Sequence, residues 1–171
     1  VDGLNIEIET GQILGLIGPN GAGKSTAFNC IAGVFPPTGG EIYFQGERIN
    51  GVKPWTLCRK GLARTFQIVK PFVSKSVLYN VMVGAFSVTD KAVEAEAEAL
   101  SVLKSLYFES RKDVRAGNLT IADRKRLEIA RALATRPKIL LLDEVMAGLR
   151  PAEVDEMVAI IKQLRDRGIT I

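Results

Sequence analysis

Gly18 to Ser25 reads GPNGAGKS: a glycine, four residues, a second glycine, then lysine and serine. Glycine adopts backbone conformations closed to other residues, so consecutive amide N–H groups can converge on one point and hold phosphate oxygens there. A helix starting near Lys24 would aim the positive end of its dipole at the same point. Lys24 can reach β and γ phosphates, and Ser25 can give its oxygen to Mg²⁺. Asn20, Gly21, Ala22, Gly23, Lys24, Ser25 and Thr26 are therefore the candidate ligand-binding residues, Thr26 adding one more hydroxyl. A glycine-rich turn that matches by chance is the alternative, and the complete match between an apolar run and a helical segment weighs against it.

A second segment, KILLLDE, supplies carboxylates. A buried strand that ends in acids places Asp143 at the carboxyl edge of a sheet, where open α/β folds bind ligands, and Asp143 can hold Mg²⁺ through water or through Ser25. Adjacent strand residues point to opposite faces, so Asp143 and Glu144 can play different parts only if the strand ends there. Glu144 would then orient or deprotonate an attacking water. Two acids that merely cap a turn are the plainer alternative.

The elements that must position these residues follow from periodicity. Residues 12–17, QILGLI, read as a short buried strand and 24–33, KSTAFNCIAG, as a helix closed by Gly33. PPTGGEIYFQG reads as a turn and a short strand, and Asn50-Gly51 is a hairpin or tight-turn signal, so this front region is β-rich. From 77 to 115 a helical insert is expected, with Val93, Ala97, Leu100, Leu103 and Tyr107 on one face and glutamates on the solvated surface. RKRLEIARALATRP is an amphipathic helix stopped by Pro137, and PAEVDEMVAIIKQLRDRG a helix opened by Pro151 and closed by Gly168. Apolar strands alternating with helices indicate an α/β fold around a parallel sheet covered on both faces.

Composition sets limits on function. With 171 residues, 47% of them hydrophobic and 25% charged, a single globular domain, 1–171, is expected. Twenty-three Lys and Arg against 19 Asp and Glu give only +4, scattered except around Arg124 to Arg126, which does not argue for nucleic acid. Two cysteines without metal-ligand spacing and no histidine disfavour zinc and histidine catalysis, and a reducing cytosol fits best. No apolar run nears the roughly 18 residues of a membrane span, so any membrane contact is peripheral. Both ends read as cut within strand-like segments, and a longer domain is expected.

Taken together, the motifs resemble those of the nucleotide-binding domain of ATP-binding cassette (ABC) transporters. GPNGAGKST is similar to the family's Walker A motif, ILLLDE to its Walker B motif and LARTFQ to its Q loop. LGLIGPNGAGKSTAFNCIAGVFPPTGGEIYFQG, GLARTFQIVKPF, NVMVGAF and RLEIARALATRPKILLLDE resemble the ATP-binding subunits of branched-chain amino acid importers over nearly the whole chain. The resemblance implies a P-loop NTPase fold of the ABC ATPase kind, with ATP and Mg²⁺ as cofactors. It implies that Lys24, Glu144 and Gln67 are catalytic, with Ser25, Gln67 and Asp143 serving Mg²⁺. It further implies a head-to-tail dimer, identical or mixed, with two ATP molecules between the Walker motifs of one subunit and the signature motif of the other. Permease subunits in the membrane, reached through Gln67 and the helical insert, would be direct partners at the cytoplasmic face. A periplasmic or extracellular solute-binding protein would be an indirect one.

The chain departs from the family pattern in places. The signature, usually Leu-Ser-Gly-Gly-Gln, is here LTIAD, 119–123. Thr120 keeps a hydroxyl for the partner's ATP, but Ile121 and Ala122 replace the glycines and Asp123 adds a negative charge, so that contact is expected to weaken. Thr120 followed three residues later by an acid is also a capping box, and both roles can coexist. Val145 stands where proline usually follows the glutamate, and Arg150, where the family tends to have Asp or Asn, is not expected to cap the helix after it. The adenine-stacking aromatic should precede Val1 and the switch histidine should follow Ile171. A motor of an importer is the leading reading, and an ATP-dependent switch or structural module with little turnover is the alternative. Val69 and Phe72, in QIVKPF, fit a docking surface or a core equally.

Overall fold

Ile139–Leu141 forms the central strand of the computed structural model, which describes residues 1, 3–65 and 70–171. In chain order the elements are α1 (Lys24–Ile31), β1 (Tyr43–Phe44), β2 (Glu47–Arg48), α2 (Pro54–Lys60), β3 (Leu62–Arg64), α3 (Val77–Ala85), α4 (Ala92–Ser105), α5 (Ile121–Leu133), β4 (Ile139–Leu141) and α6 (Pro151–Asp166). β3 pairs with β4 in parallel, Leu62 opposite Ile139 and Arg64 opposite Leu141. On the other edge of β4, Ile139 bridges Thr170 in parallel. The Leu14 N–H then donates to Ile171 and the Ile171 N–H to Gln12, both at 2.8 Å. The parallel order across the molecule is thus 62–64, 139–141, 170–171, 12–14.

Alternation along these strands divides the core in two, because successive side chains point to opposite faces. Leu62, Ile139 and Leu141 pack with Phe28 and Ile31 of α1 and Leu57 of α2. Ala63 and Leu140 face the other way, into the larger cluster that holds residues of α3, α4, α5 and α6. Helices on both faces of a parallel sheet are the expected arrangement, since each strand is apolar on both sides.

Antiparallel β1 and β2 turn at Gln45 and Gly46, both with positive φ (52° and 77°), so the hairpin turn lies there and Asn50-Gly51 makes a separate tight turn. Asn50 instead accepts the Ile42 N–H and donates to Gly40 O. The front region also contains α2, which periodicity did not resolve: Pro54 fixes its first turn and Gly61, at φ 101°, ends it.

Two expectations need correction. Residues 12–17 are not buried: Ile13 and Leu14 are largely exposed and Ile17 almost wholly so. The segment forms no strand of its own: among the described residues its backbone bonds to Ile171 and, through the Gln12 N–H, to Glu9 O, and no described element packs over its outer face. On α4 the buried stripe is Ala95, Ala99, Val102 and Leu103, whereas Val93 and Tyr107 are exposed. Small alanines let α4 approach its neighbours closely, and Tyr107 lies beyond the helix end at φ 53°, turned away from the stripe.

Candidate functional site

The glycine loop closes through a turn in which the Ala22 N–H donates to Pro19 O at 3.2 Å. Gly21 and Gly23 hold φ of 83° and 91°, a region that a side chain would strain. Gly23 is the N-cap of α1, and neither a capping side chain nor an acid in the first turn engages the helix start. Its first amides are thus left without a side-chain cap, as at a helix end that can receive an anion. The Lys24 ammonium folds back onto the carbonyl oxygens of Gly18 (2.7 Å) and Pro19 (2.8 Å).

A cavity of about 350 Å³ opens here, lined by Asn20, Gly21, Gly23, Lys24, Ser25, Thr26 and Glu144. The loop and the glutamate, more than a hundred residues apart in sequence, thus share one space. Of the loop residues expected at a ligand, Ala22 does not line the cavity, its place in the turn directing it elsewhere.

β4 ends at Leu141, and the two acids after it do separate. Glu144 is exposed and turned to the cavity, its backbone in the left-handed region at φ 50°. The turn that follows holds it: Glu144 O accepts the Ala147 N–H at 3.0 Å and the Lys125 ammonium, from α5, at 3.3 Å. Lys125 is itself buried. Val145 packs into the main core, which anchors this turn from beneath.

Asp143 faces the other way, its carboxylate only 13% exposed, and pairs at 2.9 Å with Arg64 at the end of β3. Arg64 also donates to Asn29 Oδ1 of α1 at 2.6 Å. The Asp143 N–H donates to Thr65 Oγ1 at 3.1 Å. Arg64, Asn29, Thr65 and Lys125 were not singled out from sequence; a lone arginine just after a strand's apolar residues, in LARTFQ, was the only local signal.

Thr120 lies outside the cavity and caps α5, its Oγ1 accepting the Asp123 N–H at 3.1 Å. Ile121 is 60% exposed. At α6, as expected, the Arg150 side chain does not cap the helix. Arg150 is the N-cap and its own side chain offers no acceptor, but Glu153 reaches back, taking the Arg150 N–H at 2.9 Å and its guanidinium at 2.6 Å. That contact lowers the Glu153 pKa, chiefly through the guanidinium hydrogen bond. Gln67 lies outside the described residues.

A sheet-paired segment, a glycine loop and a helix N-terminus beside a parallel sheet, with two carboxylates just past the end of β4, define a P-loop nucleotide-binding fold. The chain belongs to the ABC transporter family: the family profile described as "ABC transporter" matches residues 1–147. Within it, the chain is the ATPase cassette. It is 39% identical over 190 residues to the high-affinity branched-chain amino acid transport ATP-binding protein BraF of Pseudomonas aeruginosa, covering 100% of this chain and 73% of that one. Among solved structures it superposes on MJ1267, an ATP-binding cassette of an ABC transporter, with a TM-score of 0.89 and 32% identity, over 100% of this chain and 73% of that one. The cassette MJ0796, described as dimeric, post-hydrolysis and bound to ADP and Pi, gives a TM-score of 0.85 at 27% identity, over 98% and 75%. No helix among the described residues is long and apolar enough to cross a membrane.

Proposed function

We propose that this chain is the ATP-hydrolysing subunit of an importer for branched-chain amino acids, acting peripherally at the cytoplasmic face of the membrane. The observation that carries the reading is the shared cavity: the phosphate loop, Lys24, Ser25, Thr26 and Glu144 line one space. The likeness to BraF supports the solute class. Residues 1–171 form one domain in this reading, with 77–115 as its helical insert.

In this scheme the amides of 20–26 cradle the phosphates, and Lys24 exchanges the carbonyls of Gly18 and Pro19 for the γ phosphate. Glu144 takes the proton of the attacking water, held in place by the Lys125 contact to its carbonyl. Catalysis is mostly positioning and charge complementarity. Ser25 lines the cavity, and Asp143, outside its lining, is tied through Arg64 to Asn29 on the same helix; a hydroxyl and a carboxylate are hard oxygens of the kind Mg²⁺ prefers, few enough to leave room for phosphate and water. Mg²⁺, when bound, neutralises charge on the phosphate oxygens. Ser25, Gln67 and Asp143 would hold it, Asp143 partly through water.

A second copy or a related cassette would close the site head to tail, presenting Thr120 to the partner's ATP. Permease subunits would dock near Gln67 and against the exposed Phe72, Val73, Tyr79 and Val83 beside and along α3. A periplasmic or extracellular solute-binding protein would act through them. The alternative, a switch that binds ATP with little turnover, rests on the signature itself: Ile121 and Ala122 stand where glycines would let the backbone close on the partner's phosphate, and Asp123 adds a negative charge there.

The discriminating experiment is Mg²⁺-dependent ATP hydrolysis by the full-length protein, alone and with its permease, beside Glu144→Gln. Turnover that is lost in the variant supports the motor. Equal, negligible rates with ATP still bound support the switch.

A further inference from the structure

We propose that Arg64 is a positioning residue for Asp143: its guanidinium ties the Asp143 carboxylate to the helix that carries Ser25, and so sets how strongly Mg²⁺ tightens nucleotide binding. The inference rests on the nucleotide-binding reading above. Arg64 is nearly buried, with 8% of its side chain exposed, and its fork spans two elements. One nitrogen, Nη2, reaches Asp143 Oδ2 at 2.9 Å, and the other, Nη1, reaches Asn29 Oδ1 at 2.6 Å. The guanidinium also lies over the Phe28 ring, 5.7 Å from its centroid.

Three features make this an arrangement for aiming a group. Asn29 stands four residues after Ser25 on α1, so the two share one helix face, and a bridge from Asn29 to Asp143 draws the carboxylate toward the serine's side of the helix. The guanidinium is planar and rigid, so two anchors on it fix where the third group sits, which a lysine at the same place would not do. Thr65, the next residue, holds the Asp143 N–H, so both the backbone and the side chain of Asp143 are gripped from the end of β3. A nearly buried ion pair is by itself a poor source of stability compared with apolar packing, which leaves geometry as its use. With Oδ2 gripped, Oδ1 is the oxygen that a metal or its water would meet.

Groups that orient metal-binding side chains from outside typically change metal affinity by about 10- to 100-fold when removed. The test is the affinity of the full-length protein for a fluorescent ATP analogue, measured with EDTA and with Mg²⁺, in the unmodified protein and in Arg64→Gln, Arg64→Lys, Asn29→Ala, Asp143→Asn and the Arg64→Gln/Asp143→Asn pair. The expected result is an Mg²⁺-dependent gain that falls about tenfold in Arg64→Gln while affinity in EDTA holds. Arg64→Lys should recover part of the gain, and the double variant should match Asp143→Asn alone, because Arg64 acts through Asp143. A folded Arg64→Gln that keeps the whole gain, or that loses affinity equally with and without Mg²⁺, overturns the proposal. Should Arg64→Gln fail to fold, Asn29→Ala, which removes one bond and leaves the ion pair, decides: a reduced gain supports the proposal and an unchanged one overturns it. Failure of the unmodified protein to bind the analogue at all would instead sink the nucleotide-binding reading.

Discussion

The Lys24 ammonium lies 2.7 Å from the carbonyl oxygen of Gly18, folded onto the loop that it is proposed to leave when phosphate arrives. In this state it neutralises the inward carbonyls of the turn. The ammonium's bond to a phosphate oxygen would contribute about 2 kcal/mol beyond the carbonyl contacts it replaces. Lys24→Met should therefore weaken ATP binding by about thirtyfold. Titration with a fluorescent nucleotide reads this directly, and an affinity within twofold of the parent would remove Lys24 from the phosphate site.

Glu144 combines a proposed chemical role with a strained backbone. Glu144→Gln should keep ATP affinity and lower turnover by about a hundredfold or more, the usual effect of losing a general base. Glu144→Gly should abolish turnover too, yet raise the melting temperature, because φ 50° costs a side-chain-bearing residue about 1–2 kcal/mol that glycine does not incur. A lower melting temperature for Glu144→Gly would argue against that strain.

The variant signature can be tested in both of its roles. Thr120→Ala removes the acceptor for the Asp123 N–H and should cost about 1 kcal/mol, with Thr120→Ser close to neutral. Chemical denaturation measures both. Replacing Ile121 and Ala122 by glycine and Asp123 by glutamine should raise ATP turnover severalfold in the full-length protein. Ile121 is well exposed, so little packing is lost with it. An unchanged rate would show that the altered signature does not limit hydrolysis.

Packing of α3 on α5 depends on a missing side chain. A Cβ at Gly84 would stand 2.2 Å from Arg131 O and 3.2 Å from the Ala134 Cβ. Gly84→Ala should thus force the helices apart and destabilise the protein by about 1–3 kcal/mol. Gly39→Ala, which meets nothing within 4 Å, is the control. Thermal melts that rank the two alike would contradict the close helix approach.

Much of the site was legible because its parts are contiguous. The loop from Gly18 to Ser25 carries its own conformational requirement in its glycines, and α1 follows directly from it. The helices opened by Thr120 and Pro151 could be located from capping and φ preferences, which involve neighbours three residues apart. Harder to see were α2, too short for periodicity, and the Glu153 carboxylate that reaches back to the Arg150 N–H at the start of α6.

By itself, then, the sequence determined the order of strand, loop and helix, the apolar strand that ends in Asp143 and Glu144, and the family to which they point. Only the tertiary structure decided which way those two acids face, because that depends on where β4 ends and on Arg64, which stands 79 residues before Asp143. It also decided which stripe of α4 is buried, since the close approach of its neighbours is met by Ala95 and Ala99 together with Val102 and Leu103. The exposure of residues 12–17 belongs with these: an apolar run has the same composition whether or not another element lies across it, and burial is a property of the pair of surfaces.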